Sequence, residues 1–178
     1  MKIFAIRHTS VLVEPGICYG QSNVDVAQTF ETEKQQVAQN LSEIQVDEVW
    51  SSPLLRCRKL AEFLFPNQPV YFDKRLQELN FGDWELKSWD EIYSLPAGKH
   101  WMNHYQKLPT QNGESYSEMK HRIETWLTEI KNANYSEVAV VTHAGVIRII
   151  KHLTEAAPME ELFSDFKPAY GSITQFEL

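Results

Sequence analysis

Short apolar runs alternate with longer amphipathic stretches along most of this chain. Five runs have the length and composition of β-strands: Lys2 to Ile6, Asp47 to Trp50, Val70 to Phe72, Glu137 to Thr142 and Ser172 to Leu178. Glu137 to Thr142 is as apolar as a central parallel strand. Ser172 to Leu178 alternates apolar and polar residues, which predicts a strand at the edge of a sheet.

The stretches between these runs place apolar residues at helical spacing. They are Thr29 to Ile44, Leu54 to Phe65, Ser115 to Ala133 and Ala144 to Leu153. Strands that alternate with helices are typical of α/β proteins. We therefore predict a three-layer sandwich with a mostly parallel central sheet flanked by helices. The length of 178 residues suits one domain over residues 1–178.

Composition narrows the classes of partner. The chain has 17 Lys and Arg against 24 Asp and Glu, a net charge of −7, and so lacks the basic excess of a nucleic-acid or membrane-surface binder. Its longest apolar runs are far shorter than the roughly 20 residues of a membrane span. The first residues lack a signal-peptide core, and Cys18 and Cys57 read as reduced thiols. We expect a soluble, cytoplasmic protein whose partner is a small molecule.

Two of the most apolar predicted strands run almost directly into a histidine. His8 follows Lys2 to Ile6 after Arg7, and His143 follows Glu137 to Thr142. Ligands of α/β sheets bind beyond the carboxyl ends of the strands, so these histidines are expected to share one pocket. A structural role in the core is the alternative for either histidine alone.

Arg56 is expected in the first turn of the helix that follows the second strand, on the same side of the sheet. A guanidinium group offers a planar fork of donors to phosphate oxygens, and a helix N-terminus adds positive potential. The alternative is that Arg56 or Arg58 is an ordinary solvated helix charge.

A loop after the third strand mixes carboxylates with apolar residues and contains Glu78, Asp83 and Glu85. A carboxyl group held among Leu76, Leu79, Phe81 and Trp84 suits a proton donor. Spacing does not distinguish these three acids, and each has an ordinary surface role as its alternative.

Aromatic residues crowd the segment that follows, namely Trp84, Trp89, Trp101, His104 and Tyr105. They are expected either to cover the pocket, where a flat substrate would stack, or to pack this segment onto the core. His100 and His104 have the spacing of two metal ligands on a helix. Pro96 and Gly98 argue against a regular helix there, and no third ligand is evident.

Several short motifs, taken in order, resemble the histidine phosphatase (phosphoglycerate mutase-like) superfamily. They cover nearly the whole chain and are Arg7-His8, Ser51-Ser52-Pro53-Leu54-x-Arg56, Leu76-x-Glu78-x-x-Phe81-Gly82-x-Trp84-Glu85, Gly113-Glu114-Ser115 and Thr142-His143-Ala144-Gly145-Val146-Ile147-Arg148. Each motif is modest by itself, but the ordered set is specific.

The resemblance implies a metal-independent, cofactor-free phosphomonoesterase. His8 would be the nucleophile that becomes phosphorylated, while Arg7, Arg56 and a protonated His143 would bind the phosphoryl oxygens. The resemblance also selects Glu78 as the acid and base. Thr9 and Ser10 stand where the family usually has glycine and glutamate.

The segment from Cys18 to Val24 is similar to that of bacterial α-ribazole phosphatases, a branch of the family that acts in cobalamin nucleotide-loop assembly. This similarity implies α-ribazole 5′-phosphate or a related precursor as the substrate, with Tyr19 as a candidate substrate contact. Trp84 of the aromatic segment is a second candidate contact. The alternatives are a phosphoglycerate mutase or sugar-phosphate phosphatase, a non-catalytic phosphate-binding module and, more weakly, a metal hydrolase. The sequence leaves the oligomeric state open.

Overall fold

The computed structural model describes residues 1–178, and its five strands form one sheet in the order β3-β2-β4-β1-β5. The strands are β1 (Lys2–Arg7), β2 (Glu48–Ser51), β3 (Val70–Phe72), β4 (Glu137–Thr142) and β5 (Ile173–Glu177). The first four strands are mutually parallel, and β5 pairs antiparallel with β1 at the edge. The predicted mostly parallel α/β sheet with its alternating edge strand is confirmed.

Seven α-helices flank the sheet. They are α1 (Phe30–Leu41), α2 (Leu55–Leu64), α3 (Trp89–Ser94), α4 (Pro96–Met102), α5 (Tyr116–Asn132), α6 (Ala144–Glu155) and α7 (Met159–Ser164). The four long predicted helices are present with ends shifted by a few residues. None of the seven helices is long and apolar enough to cross a membrane.

The expectation that Pro96 and Gly98 prevent a helix is wrong. Pro96 occupies the first turn of α4, where a missing N–H group breaks no helical hydrogen bond. Gly98 packs so closely against α3 that a Cβ atom there would lie 1.9 Å from the Ile92 carbonyl oxygen. The glycine therefore permits the contact between these two short helices.

Alternate residues of the central strands build two cores, one on each face of the sheet. Phe4 and Ile6 of β1 face α1 and α2, where Val37, Leu60 and Ala61 complete the first core. Ile3 and Ala5 face the other way, into a larger core that includes Met119, Ile123 and Trp126 of α5 and Ile147 and Ile150 of α6. Burial of each large side chain contributes about 1.5–3 kcal/mol, and the two layers together hold the sheet between them.

The carboxyl ends of β2, β4 and β1 lie side by side. Backbone pairing continues past the strands, because the His8 N–H donates to Thr142 O at 3.0 Å and the Ser52 N–H donates to Val141 O at 2.9 Å. The residues that follow the three strands are thereby brought to one edge, as the sequence predicts.

Candidate active site

His8 and His143 meet at this edge with their ring centroids 5.2 Å apart. Both side chains are buried, with 2% of His8 and none of His143 exposed. The predicted convergence of these two residues is therefore present in the structure. They are 135 residues apart in the chain and are joined by the register in which Arg7 pairs with Thr142.

The tautomer of His8 is set by its own backbone. Its Nδ1 lies 2.7 Å from Thr9 O, a carbonyl that only accepts, so Nδ1 carries the proton and Nε2 keeps its lone pair. Burial, with the charge of Arg56 next, lowers the pKa of His8 well below its usual 6.5. At pH 7 this imidazole is neutral, the state a nucleophile requires.

His143 is held by Ser52, whose Oγ lies 2.8 Å from its Nε2, and its ring also touches the Cys57 sulfur. Burial and then the charge of Arg56 lower the pKa of His143 well below 6.5. The protein alone therefore favours the neutral form of His143, and its protonation beside a phosphoryl group stays a prediction. Its side chain is absent from the cavity wall and lies edge-on to His8.

Two guanidinium groups face the same cavity. Arg56 is fully buried and donates from Nη1 to Ser22 O at 2.9 Å and from Nη2 to Gly20 O at 2.7 Å, while Arg7 donates from Nη1 to Pro168 O at 2.7 Å. Nε of each arginine is buried without a partner in the protein. Arg58 is the solvated helix charge instead, since its side chain is 55% exposed and pairs with Glu62.

The structure separates the three acids that spacing leaves equivalent. Glu78 lines the cavity, where its carboxylate accepts from Leu79 N–H and Gly145 N–H at 3.0 Å each. Asp83 is exposed and bonds Asn112, whereas Glu85 accepts from backbone groups of neighbouring loops. Glu78 is therefore the one of the three that can reach a ligand beside His8.

Gly145 makes the position of Glu78 possible. A Cβ atom at residue 145 would lie 2.1 Å from Oε1 of Glu78, far inside van der Waals contact. The carboxylate occupies this space at the N-terminus of α6, where the helix dipole favours a negative group. The glycine after Ala144 therefore leaves the space that the Glu78 carboxylate occupies.

The cavity has a volume of about 170 Å³ and opens beside a second, more apolar cavity of about 440 Å³. The two share six wall residues, which are Leu79, Phe81, Trp89, Tyr116, Arg148 and Phe163. We call the first the phosphate pocket and the second the aromatic annex. A ligand held near His8 has an apolar surface next to it.

Some residues of the aromatic segment line a cavity, and others pack onto the core. Trp89, Trp101 and Tyr105 line the aromatic annex, and Tyr19 lines the phosphate pocket. The prediction that Trp84 contacts the substrate is wrong. Trp84 is 6% exposed, lines neither cavity and packs edge-to-face on Trp101.

His104 lies outside both cavities. It is exposed, with its ring 4.6 Å from that of His100 between ring centroids. Neither histidine lines the cavity that holds the predicted phosphate ligands.

Sequence reasoning missed two side chains of the site. Arg148 lines both cavities, and its position three residues after Gly145 on α6 would have placed it on the same helix face. Tyr170 lies over Arg7 from the segment before β5, and no local pattern marks it. Its position depends on the antiparallel pairing of β5 with β1.

The family is shown by sequence. Residues 3–178 match the family described as Histidine phosphatase superfamily (branch 1). Fold and family together define the class, and the chain belongs to this superfamily and is a phosphatase.

Two curated relatives have phosphatase names. The chain is 26% identical to "Putative phosphoserine phosphatase 2" of Hydrogenobacter thermophilus and 24% identical to "Adenosylcobalamin/alpha-ribazole phosphatase" of Escherichia coli K12. Each alignment covers 92% of this chain and 83% of the relative.

Among solved structures, the α-ribazole phosphatase of Shigella flexneri superposes with a TM-score of 0.91 over all of this chain and 91% of that one. The sequences are 22% identical, so this likeness concerns the fold.

Proposed function

We propose that this phosphatase hydrolyses phosphomonoesters through a phosphohistidine on His8. The observation that carries the proposal is one cavity lined by a neutral, buried His8, by Arg7 and Arg56 with unpartnered Nε groups, and by the Glu78 carboxyl group. A nucleophile, two phosphate-binding cations and a proton carrier are the parts that a two-step phosphoryl transfer requires.

In the first step, Nε2 of His8 forms a bond to phosphorus as the ester P–O bond breaks. Glu78 gives its proton to the departing alkoxide oxygen. In the second step, water attacks phosphorus, Glu78 takes a proton from that water, and the P–N bond breaks to release phosphate and free His8. The guanidinium groups of Arg7 and Arg56 stabilise the charge that spreads over the phosphoryl oxygens.

His143 supports the nucleophile through its edge-on contact with the His8 ring. Burial lowers the pKa of His143 and favours its neutral form, whereas a bound phosphate dianion would favour the protonated form. A direct contact between His143 and a phosphoryl oxygen is part of this proposal and needs a small shift of the ring into the cavity.

The substrate that fits best carries a flat aromatic group, and we propose α-ribazole 5′-phosphate. The support is the aromatic annex, whose wall includes Trp89, Trp101 and Phe81 beside the phosphate pocket. A benzimidazole ring is large enough to stack on such side chains. The names of two relatives agree with this substrate.

A small phosphomonoester with a carboxylate is the second candidate. Arg148 favours it, because this cation lines both cavities and its Nε donates to the Phe166 carbonyl, which leaves its positive charge without a salt bridge. Phosphoserine has such a carboxylate and appears in the name of one relative. A phosphoglycerate mutase remains the alternative reaction, recognised by isomerised product in place of free phosphate.

The test combines labelling with a substrate panel. Turnover of ³²P-labelled substrate should leave acid-labile, protein-bound phosphate on the parent and none on His8→Ala. His100→Ala, which changes an exposed histidine outside both cavities, should label normally. Normal labelling of His8→Ala would sink the assignment of the nucleophile.

On the panel, kcat/KM for release of phosphate should be highest for α-ribazole 5′-phosphate, ahead of phosphoserine and a short alkyl phosphate. Higher kcat/KM for phosphoserine would favour the second candidate. Isomerised phosphoglycerate without net release of phosphate would identify a mutase.

A further inference from the structure

Two tyrosines from distant loops meet above the predicted phosphate ligands. The hydroxyl oxygens of Tyr19 and Tyr170 lie 2.7 Å apart, within hydrogen-bond distance, although 151 residues separate them in the chain. Tyr19 belongs to the loop after β1, and Tyr170 to the segment between α7 and β5. The hydrogen bond therefore joins two parts of the chain that each hold one arginine.

The segment of residues 168–171 holds Arg7 from two directions. The Pro168 carbonyl accepts from Nη1 of Arg7 at 2.7 Å, and the Tyr170 ring lies with its centroid 3.8 Å from the guanidinium carbon. The same ring is 5.5 Å from that of His8, and the Gly171 N–H donates to His8 O at 3.2 Å. Tyr170 thus covers both the cation and the nucleophile.

The loop of residues 19–22 holds Arg56 in the same manner. The carbonyls of Gly20 and Ser22 accept from its two Nη atoms, and the Tyr19 ring centroid lies 5.3 Å from its guanidinium carbon. Each arginine is therefore held from a single loop by one aromatic ring and by carbonyl oxygens, one for Arg7 and two for Arg56. The two rings are linked only through their hydroxyl groups.

The two rings and their hydrogen bond oppose the electrostatic repulsion between Arg7 and Arg56. Two guanidinium groups that face one small cavity repel each other, and the repulsion is stronger in a buried site than in water. The negative face of an aromatic ring offsets part of this charge. A hydrogen bond between the rings also resists the separation of the two loops.

We propose that Tyr19 and Tyr170 form a positioning bridge that keeps Arg7 and Arg56 directed at one phosphoryl group. The bridge acts through the arginines, while Tyr19 also lines the phosphate pocket and the Tyr170 ring lies 5.5 Å from that of His8. It rests on the proposed function, because it assumes that both arginines bind phosphate. Its loss should weaken the binding of a phosphate-like anion with little effect on the stability of the protein.

The test measures the dissociation constants of inorganic phosphate and orthovanadate by calorimetry, together with KM and kcat. Tyr170→Leu removes the ring and should weaken anion binding roughly three- to thirtyfold, mainly through KM. Tyr19→Phe and Tyr170→Phe keep the rings, remove the same hydrogen bond and should each weaken binding about two- to tenfold. Because both substitutions remove the same hydrogen bond, the double phenylalanine variant should bind the anions about as tightly as the weaker-binding single variant.

Tyr71→Phe is the matched control, since Tyr71 is exposed in β3 and lines neither cavity. Its anion affinity should equal that of the parent. Thermal unfolding of all variants should stay within about 3 °C of the parent, which separates a positioning role from a structural one.

Two results would overturn the bridge. In the first, the double phenylalanine variant weakens anion binding by the product of the two single effects. In the second, the phenylalanine variants bind the anions as tightly as the parent does. In both cases the parent still binds phosphate and hydrolyses esters, so the proposed function stands. A parent protein that binds neither phosphate nor vanadate would overturn the proposed function, and the bridge with it.

Discussion

At the scale of single residues, the position of the predicted acid depends on a missing side chain. Glu78 reaches the N-terminus of α6 only because residue 145 has no Cβ atom, and the Gly145 N–H then donates to its carboxylate. The position of the proposed acid therefore depends on a contact across 67 residues of sequence. For that reason the spacing of Glu78, Asp83 and Glu85 within their own loop does not distinguish them.

Gly145→Ala should displace the Glu78 carboxylate and remove protonation of the leaving group. We expect kcat/KM for alkyl phosphates to fall roughly 100-fold, within the usual range for loss of a general acid. An activated aryl phosphate, whose leaving group needs no proton, should lose much less activity.

Glu78→Gln provides the comparison for this variant, and the double variant should be no slower than the worse single one. Equal losses on both kinds of substrate would contradict the role of Glu78 as a leaving-group acid.

Residue-scale prediction succeeded where a motif follows a strand and failed where contacts arise from distant loops. His8, His143 and Arg56 converge because each follows one of three neighbouring parallel strands. Trp84 and Tyr170 show the opposite case. An aromatic residue in a covering segment can face the core or the cavity, and the sequence around it does not state which.

At the scale of elements, Glu85 links two loops by hydrogen bonds. One loop supplies the carbonyl groups that bind Arg56, and the other contains Glu78. The Glu85 carboxylate accepts from the Gln21 N–H at 2.8 Å, from the Ser22 N–H at 2.9 Å, from the Ser22 hydroxyl and from the Phe81 N–H at 3.1 Å. Gly20 lies in the same junction, where a Cβ atom would be 2.0 Å from Leu79 O. The two loops are thus packed backbone against backbone.

Glu85→Ala should leave three backbone N–H groups without their acceptor and lower the free energy of unfolding by about 2–4 kcal/mol. It should also raise KM, because the carbonyls of Gly20 and Ser22 that hold Arg56 lose their support. Urea denaturation and steady-state kinetics measure the two effects.

Asp83→Ala is the matched control, since this acid is two residues away, exposed and bonded only to Asn112. Its effect on stability should stay within about 0.5 kcal/mol. A similar loss of unfolding free energy in both variants would show that the four hydrogen bonds of Glu85 do not stabilise the contact between the two loops.

The long helices were predictable because their apolar residues recur over several turns. The strands were predictable because each is a short apolar or alternating run. Helices α3, α4 and α7 have six, seven and six residues, too few for an apolar face to repeat. Their formation depends on tertiary contacts such as that of Gly98 with Ile92. Local pattern therefore predicts the layers around the sheet but misses the short helices that build the wall of the aromatic annex.

At the scale of the whole molecule, the two buried histidines make stability depend on pH. The pKa values of His8 and His143 are lowered in the folded state, mainly by burial, and return to about 6.5 on unfolding. As the pH falls below 6.5, the unfolded chain binds protons that the folded protein does not bind. The free energy of unfolding must then decrease, and it is fully recovered above pH 6.5.

As the pH falls below 6, we expect the free energy of unfolding to fall by up to about 2.7 kcal/mol per pH unit, from two protons. His8→Asn should remove one of them and reduce the slope by about 1.4 kcal/mol per pH unit. Urea denaturation at a series of pH values measures both slopes. An unchanged slope in the variant would show that His8 takes up its proton in the folded state.

The place of β1 in the sheet has a consequence for how the molecule is made. His8 follows the first strand, yet β1 lies between β4 and β5, whose residues run from Glu137 to Glu177. During synthesis this apolar strand must wait for both of its neighbours while most of the chain emerges from the ribosome. The proposed catalytic site is consequently assembled last, and we expect a nascent chain without β4 and β5 to have an uncovered hydrophobic strand and to lack phosphatase activity.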